Sequence, residues 1–116
     1  MHKLNDLKIW KKAMDIAEKT YLISSEFPSE EKFGLTSQIR RSAVSVPSNI
    51  AEGYERDTAK DRFKFWTYAK GSCGELRTQI YIGMEIGYID KDQGYVWVQE
   101  TQELSRMIYG LMKYIN

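Results

Sequence analysis

Apolar residues recur every three to four positions in four separate segments of the sequence, and this periodicity constrains the fold more than any other feature. Such a spacing places apolar side chains on one face of an α-helix. No segment rich in Val, Ile or Thr alternates with polar residues at a period of two, as a half-buried strand would require. Because the four segments are joined by short connections, we predict an all-α fold, an antiparallel up-down four-helix bundle formed by residues 1–116 as a single domain.

The first segment carries two adjacent apolar stripes. It should end near Glu26, because Phe27 precedes a proline and is therefore disfavoured in helical conformation. One stripe contains Leu7, Trp10, Met14, Ala17 and Tyr21, and the other contains Ile9, Ala13, Ile16 and Ile23. We expect core positions for Trp10 and Tyr21, as for Trp66 and Trp97 further along the chain.

The second helix should run from about Leu35 to Gly53, a natural helix stop. Its core stripe contains Leu35, Ile39, Ala43, Val46 and Ile50. Pro47 removes one backbone hydrogen bond and should bend this helix. Ser29 can cap a preceding turn, so whether residues 29–53 form one helix or two stays open.

The last two helices each begin with a capping pattern. Thr58 with Asp61 opens a helix from Ala59 to about Gly87, and Asp90 with Gln93 opens the fourth. The third core stripe contains Phe63, Trp66, Ala69, Cys73, Leu76, Ile80, Met84 and Gly87. The fourth contains Trp97, Thr101, Leu104, Ile108, Leu111 and Ile115.

The second helix lacks an ordinary charged outer face. Between Leu35 and Gly53 only Arg40, Arg41 and Glu52 carry charge, and the face left over is mostly small: Ser37, Arg40, Val44, Ser48 and Ala51. A helix that buries one stripe normally presents charges on the opposite side, so we predict a second contact, with another subunit of a homo-oligomer or within the bundle. The alternative is that Ser, Ala and Asn form a mildly polar solvent face.

A file of polar residues runs along one flank of the same helix. Its members are Gln38, Arg41, Ser45, Asn49 and Glu52. We interpret them as a buried or interfacial hydrogen-bond network that fixes helix register, with ligand or nucleic-acid contact as the alternative. Catalysis is the least favoured role, because proton transfer would fall to Glu52 or Glu75 without a visible nucleophile or metal set.

The charge balance, 17 basic against 16 acidic side chains, gives a net charge of +1 and argues against one strongly basic monomer. Residues 38–77 nevertheless hold eight basic and five acidic side chains. An oligomer would repeat this excess, so RNA or DNA is a candidate partner. The candidate phosphate contacts are Arg40, Arg41, Arg56, Lys60, Arg62 and Lys64.

Other motifs carry little chemistry. The chain has one cysteine, Cys73, and one histidine, His2, so we expect no zinc site and no cofactor. Cys73 lies on an apolar stripe and should be a core residue. The GxxG string from Gly71 to Gly74 falls inside a periodic helix and should mark the close approach of a neighbouring helix, not a nucleic-acid loop. No signal peptide or membrane span is recognisable, and we expect a cytoplasmic protein.

The residues also resemble a known family. The run GLTSQIRRSAVSVPSNIAEG from Gly34 to Gly53, followed by Ala69, Gly71-Ser72 and Glu75-Leu76, resembles the bacterial four-helix-bundle proteins called 23S rRNA intervening-sequence proteins. Leu7-Lys8-Ile9-Trp10, Phe27-Pro28 and Gly87-Tyr88-Ile89 fit the same pattern. The family's motif residues map here onto Gln38, Arg41, Ser45, Asn49, Glu52, Gly71, Ser72 and Glu75.

The resemblance implies an up-down bundle that assembles into a homo-oligomer, with pentameric rings expected, and no enzyme activity. A related branch comprises accessory proteins of diversity-generating retroelements, which look like basic barrels that bind nucleic acid and a reverse transcriptase. The net charge of +1 departs from that branch.

Three functional hypotheses follow from these observations. The first is a non-enzymatic, homo-oligomeric scaffold associated with RNA or DNA. The second is a protein-interaction module on which a partner protein docks without nucleic acid. The third, an enzyme that uses Glu52 and Glu75, is the least favoured.

Overall fold

A computed structural model describes residues 7–114, and all of their regular structure is helical. Four long helices follow one another along the chain: α1 (Lys8–Ser24), α2 (Leu35–Glu55), α3 (Ala59–Glu85) and α4 (Lys91–Lys113). The bundle measures 44 × 25 × 22 Å, and its long dimension matches α3, whose 27 residues rise roughly 40 Å. The predicted all-α four-helix bundle is confirmed.

Two hydrogen bonds between α2 and α3 show the relative direction of these helices. The indole Nε1 of Trp66 donates to the carbonyl oxygen of Ile50 at 3.1 Å, and the Ser72 hydroxyl donates to the Ser45 hydroxyl at 2.9 Å. An advance along α3 therefore matches a retreat along α2, which is the antiparallel arrangement. Each helix packs on the next, and α4 also packs on α1.

The helix starts follow the predicted caps. The Thr58 hydroxyl oxygen accepts a hydrogen bond from the Asp61 backbone N–H at 3.1 Å. An Asp90 carboxylate oxygen accepts one from the Gln93 backbone N–H, also at 3.1 Å. Both bonds satisfy N–H groups that have no partner within the first turn, so both capping predictions are confirmed.

The helix ends differ slightly from the prediction. Helix α1 ends at Ser24, two residues before Glu26, and α2 continues past Gly53 to Glu55. Residues 29–53, for which one helix or two remained open, form two elements, because a short 3-10 turn at Ser29–Glu31 precedes α2. Pro47 lies inside α2 and is buried.

The core contains most of the predicted stripes, but not their edges. Trp66, Trp97 and Cys73 are buried as expected. Trp10 is half-buried and packs against the core. Tyr21 and Phe63 expose 46% and 47% of their surface, so the core assignments of these two residues are wrong. Gly87 is exposed beyond the end of α3, where its φ of +85° suits glycine. Ile115 lies outside the described residues.

Gly71 and Gly74 do not mark a close helix approach within the chain, contrary to prediction. Both lie inside α3, and a Cβ atom added at either position would have no neighbour within 4 Å. The close approach occurs instead at Gly53, where a Cβ would overlap the indole ring of Trp66. The glycine expected to stop α2 therefore allows α3 to pack closely against it.

Glu31 ties the start of α2 to the connection between α3 and α4. One carboxylate oxygen accepts the Leu35 backbone N–H at 3.0 Å, and the other accepts the Tyr88 hydroxyl at 2.9 Å. The bond from Leu35, and then that from Tyr88, lowers the pKa of Glu31. The bond to Glu31 raises the pKa of Tyr88.

Stability should therefore depend on pH at this junction. The Glu31 contribution is present above the unfolded-state pKa of about 4.3 and is lost as pH falls through the lower folded-state value. The Tyr88 contribution is present below about pH 10 and is lost as pH rises through the higher folded-state value. The test measures the free energy of unfolding by urea denaturation at a series of pH values. At acidic pH we expect this free energy to depend less on pH in Glu31→Gln than in the native chain, with Glu30→Gln as the control. The same dependence on acidic pH in Glu31→Gln as in the native chain would contradict this assignment.

Candidate oligomer and nucleic-acid surfaces

An apolar groove lies on the outside of the bundle between α1 and α2. Its cavity volume is about 740 Å³. The lining residues are Trp10, Met14, Ala17, Glu18, Tyr21, Leu22, Val44, Pro47, Ser48 and Ala51. Only Glu18 among them is charged, so the groove presents a mainly apolar surface.

The groove follows from the two stripes of α1 and the small face of α2. Ile9, Ala13 and Ile16 of the second stripe are buried inside the bundle. The first stripe lies one step around the helix, and four of its five residues line the groove: Trp10, Met14, Ala17 and Tyr21. Opposite it, α2 contributes Val44 and Ala51 of its small-residue face, whose short side chains leave the groove open. Apolar surface of this kind is favourably removed from water when another molecule covers it.

The polar file is divided between local bonds and a small cavity. The Asn49 amide nitrogen donates to the Ser45 carbonyl at 2.8 Å and to the Ser45 hydroxyl at 2.9 Å. The Ser72 hydroxyl of α3 donates a hydrogen bond to the same Ser45 hydroxyl. Glu52 pairs with Arg56, one turn away, at 2.8 Å. The other two members of the file, Gln38 and Arg41, line a cavity of about 260 Å³ between α2 and α3 together with Ser42, Glu75 and Gln79.

The candidate phosphate contacts fall into two separate groups. Arg40 belongs to the junction of α1 and α2, where its Nε donates to the Ser24 hydroxyl at 2.8 Å and its guanidinium covers the Tyr21 ring at 4.7 Å. Exposed Arg41 follows it on α2. Arg56 is fifteen residues further along the chain, which corresponds to roughly 22 Å of helix rise. These groups therefore do not converge on one patch.

The second group surrounds Phe65 at the corner between α2 and α3. The Arg56 guanidinium lies 4.4 Å from the Phe65 ring centre, and the Lys64 ammonium lies 5.8 Å from it. Arg62 donates through Nε to the Arg56 carbonyl at 3.0 Å. Lys60 is exposed in the first turn of α3. Much of this charge is thus engaged in holding the corner.

Folding separates charge along the long axis of the bundle. When each helix is divided at its midpoint, the half with the α2–α3 corner (residues 8–16, 46–72 and 103–114, the basic half) has ten basic and six acidic side chains. The opposite, acidic half (residues 17–45 and 73–102) has six basic and nine acidic ones. The basic side chains of the basic half are Lys8, Lys11, Lys12, Arg56, Lys60, Arg62, Lys64, Lys70, Arg106 and Lys113.

Sequence reasoning missed the contributions of α1 and α4 to this basic half. Lys8, Arg106 and Lys113 lie far from the central segment in sequence, and only the antiparallel fold brings them to the same end. The available signal was the direction of each helix, which places the start of α1 beside the end of α4. A cavity lined by Lys70 and Arg106 on the α3–α4 side was missed for the same reason.

Other chemical groups add little to these surfaces. Burial raises the pKa of the Cys73 thiol to about 12, which keeps it in the unreactive protonated form. Within residues 7–114, no three His, Cys, Asp or Glu side chains come together in a way that could hold a metal ion. In the same range, no helix is long and apolar enough to cross a membrane.

The fold and its surfaces define a small up-down four-helix-bundle protein with an exposed apolar groove and an axial separation of charge. The family described as 23S rRNA-intervening sequence protein matches residues 5–110, so the chain belongs to that family. No curated protein sequence matches the chain.

A solved structure shares the fold. It is a protein of unknown function from the S23 ribosomal protein family of Bacteroides thetaiotaomicron, with a TM-score of 0.84 and 18% sequence identity. The match covers 90% of this chain and 98% of that protein. At this level of identity the similarity establishes the common bundle architecture.

Proposed function

We propose that this protein is a non-enzymatic, cytoplasmic homo-oligomeric scaffold that associates with RNA or DNA. The apolar groove between α1 and α2 carries the proposal, because another copy of the chain would remove it from water. A pentameric ring is favoured by the family resemblance. The basic half of each subunit would then be repeated around the assembly.

The size and composition of the groove support self-association. Tyr21, Leu22 and Val44 expose 46%, 73% and 41% of their surfaces, and they lie around one cavity. A cyclic ring requires each groove to meet a different surface of the next subunit. The small side chains on this face of α2 would then be explained as a subunit contact.

Assembly can be tested by size-exclusion chromatography with light scattering at micromolar concentration. We expect an oligomer for the native chain and monomer for Val44→Glu, because the variant places a charge in the groove without disturbing the core. Val96→Glu is the matched control, since Val96 is similarly exposed, at 53%, on α4. A native chain that is only monomeric, or an assembled Val44→Glu, would contradict the groove as the interface.

Nucleic-acid association is supported by the ten basic side chains of the basic half. Repetition of that half would give many weak phosphate contacts, whose affinity falls steeply with salt. Filter binding with structured RNA and duplex DNA, between about 50 and 200 mM salt, tests this directly. Affinity that does not weaken over this range would exclude phosphate contacts as its source.

Docking of a partner protein without nucleic acid is the second candidate. It is favoured by large apolar side chains exposed in the acidic half, notably Phe33 at 88% and Ile86 at 51%. The same titration separates the two candidates. Complete absence of RNA and DNA binding by an assembled oligomer would favour this alternative.

A further inference from the structure

Four described residues that can each donate hydrogen bonds line a cavity between α3 and α4. Lys70, Ser105, Arg106 and Tyr109 surround a volume of about 330 Å³. Among residues 7–114, no carboxylate lines it. Gly74 lies one turn after Lys70 and has open space where its Cβ would be, so no side chain on α3 covers the ammonium group from that side.

The donors of this cavity are not committed to other contacts. Within residues 7–114, the side chains of Lys70, Ser105 and Arg106 take part in no recorded hydrogen bond or ion pair. Four of the other arginines are engaged elsewhere: Arg40 with Ser24, Arg56 with Glu52, Arg62 with the Arg56 carbonyl and Arg77 with Thr101. Lys70 and Arg106 are therefore the better placed of these cations to bind an external anion.

The acidic residues of the adjoining turns of α4 point to the other side of the bundle. Glu103 pairs with Lys12 of α1 at 3.4 Å, and Glu100 pairs with Lys19 of α1. Their charges are neutralised on the α1 side, away from α3. An anion at the α3–α4 cavity would thus meet two cations with little opposing charge nearby.

We propose that this cavity binds a phosphate group, and that its ligand is a phosphodiester of a single nucleic-acid strand. The assignment of the ligand to a nucleic-acid strand rests on the proposed function. The Arg106 guanidinium can donate two parallel hydrogen bonds to phosphate oxygens, and Lys70 supplies a second positive charge. The cavity has the size of a small-ligand site. The Tyr109 ring is 52% exposed and has the Lys113 ammonium 5.7 Å from its centre, so a neighbouring base would stack on the part of the ring that Lys113 leaves open.

Fluorescence anisotropy with a labelled twenty-nucleotide oligo(U) tests the site. The variant Lys70→Gln/Arg106→Gln removes both cations, and the control Lys32→Gln/Lys91→Gln removes two exposed lysines from the acidic half with the same change in net charge. We expect at least tenfold weaker binding for the first variant and less than twofold change for the control. The slope of log affinity against log salt should fall by about 1.4, or about 0.7 for each lost phosphate contact.

Equal weakening in both variants, or none in either, would overturn the site. If the native chain binds no oligo(U), the strand is excluded as ligand, and a pyrophosphate titration followed by amide NMR decides on the cavity alone. Shifts at Ser105 and Arg106 that the double variant abolishes would retain a site for free phosphate groups, and absent shifts would overturn it. Thermal unfolding verifies that each variant remains folded, and the single variants Lys70→Gln and Arg106→Gln replace the double variant if it does not.

Discussion

Truncation of Trp66 to alanine should lower the free energy of unfolding by about 3–5 kcal/mol. The indole is 5% exposed and fills the space between α2 and α3 that Gly53 leaves open. It also packs edge-on against Tyr54, with ring centres 5.0 Å apart. The variant would leave a cavity where α2 and α3 pack closely, and the Ile50 carbonyl would lose the indole donor.

Urea denaturation followed by circular dichroism measures this loss. Phe63→Ala is a suitable control, because Phe63 is an aromatic residue of the same helix whose surface is 47% exposed. We expect a much smaller cost for the control, since little buried surface is removed. Comparable losses for both variants would show that Trp66 is not the anchor between α2 and α3.

Gly53→Ala should destabilise the chain by about 2 kcal/mol, although alanine is the better helix former. A methyl group at this position overlaps the Trp66 ring, which is rigid and enclosed and cannot move away without strain. The same substitution at Gly71 meets no neighbouring atom within 4 Å. There we expect stabilisation of about 1 kcal/mol, the difference in helix propensity.

The pair of glycine variants separates packing from propensity, because both change glycine to alanine inside a helix. Their midpoints in thermal unfolding should therefore move in opposite directions. Movement in the same direction would contradict the packing assigned to Gly53. If Gly71→Ala raises the stability of the monomer but disrupts an oligomer, the outer face of α3 belongs to a subunit contact.

Local sequence signals were sufficient for the helices. Caps at Thr58 and Asp90 act within three residues, and the apolar period reports directly which face of each helix is buried. The end of α2 was harder to predict, because the glycine at position 53 is compatible with two structural roles. A glycine near a helix end can terminate it or can admit a neighbouring helix, and only the position of Trp66 decides between them.

The groove could be predicted in part. The small-residue face of α2 was recognised as an additional surface, but the matching stripe of α1 was assigned to the core. A four-helix bundle buries only one sector of each helix, so the doubled stripe on α1 was wider than the interior could accept. Trp10 and Tyr21 consequently lie at the edge of the bundle, beside Val44 of α2.

Charge was harder to place from sequence, because proximity along the chain differs from proximity in the bundle. Arg40 and Arg56 belong to one sequence segment but lie near opposite ends of α2. Lys70 and Arg106 are 36 positions apart and line the same cavity. The fold, and not the net charge, therefore determines which cations can act together.

The separation of charge along the bundle has a consequence for any ring built from this chain. Rotation about a ring axis gives every subunit the same orientation relative to that axis, so the axial components of their charge dipoles add. Unless the bundles lie flat in the plane of the ring, the assembly has one cationic rim and one anionic rim. Such a ring would bind a polyanion through its cationic rim, and its anionic rim would remain accessible to a different partner.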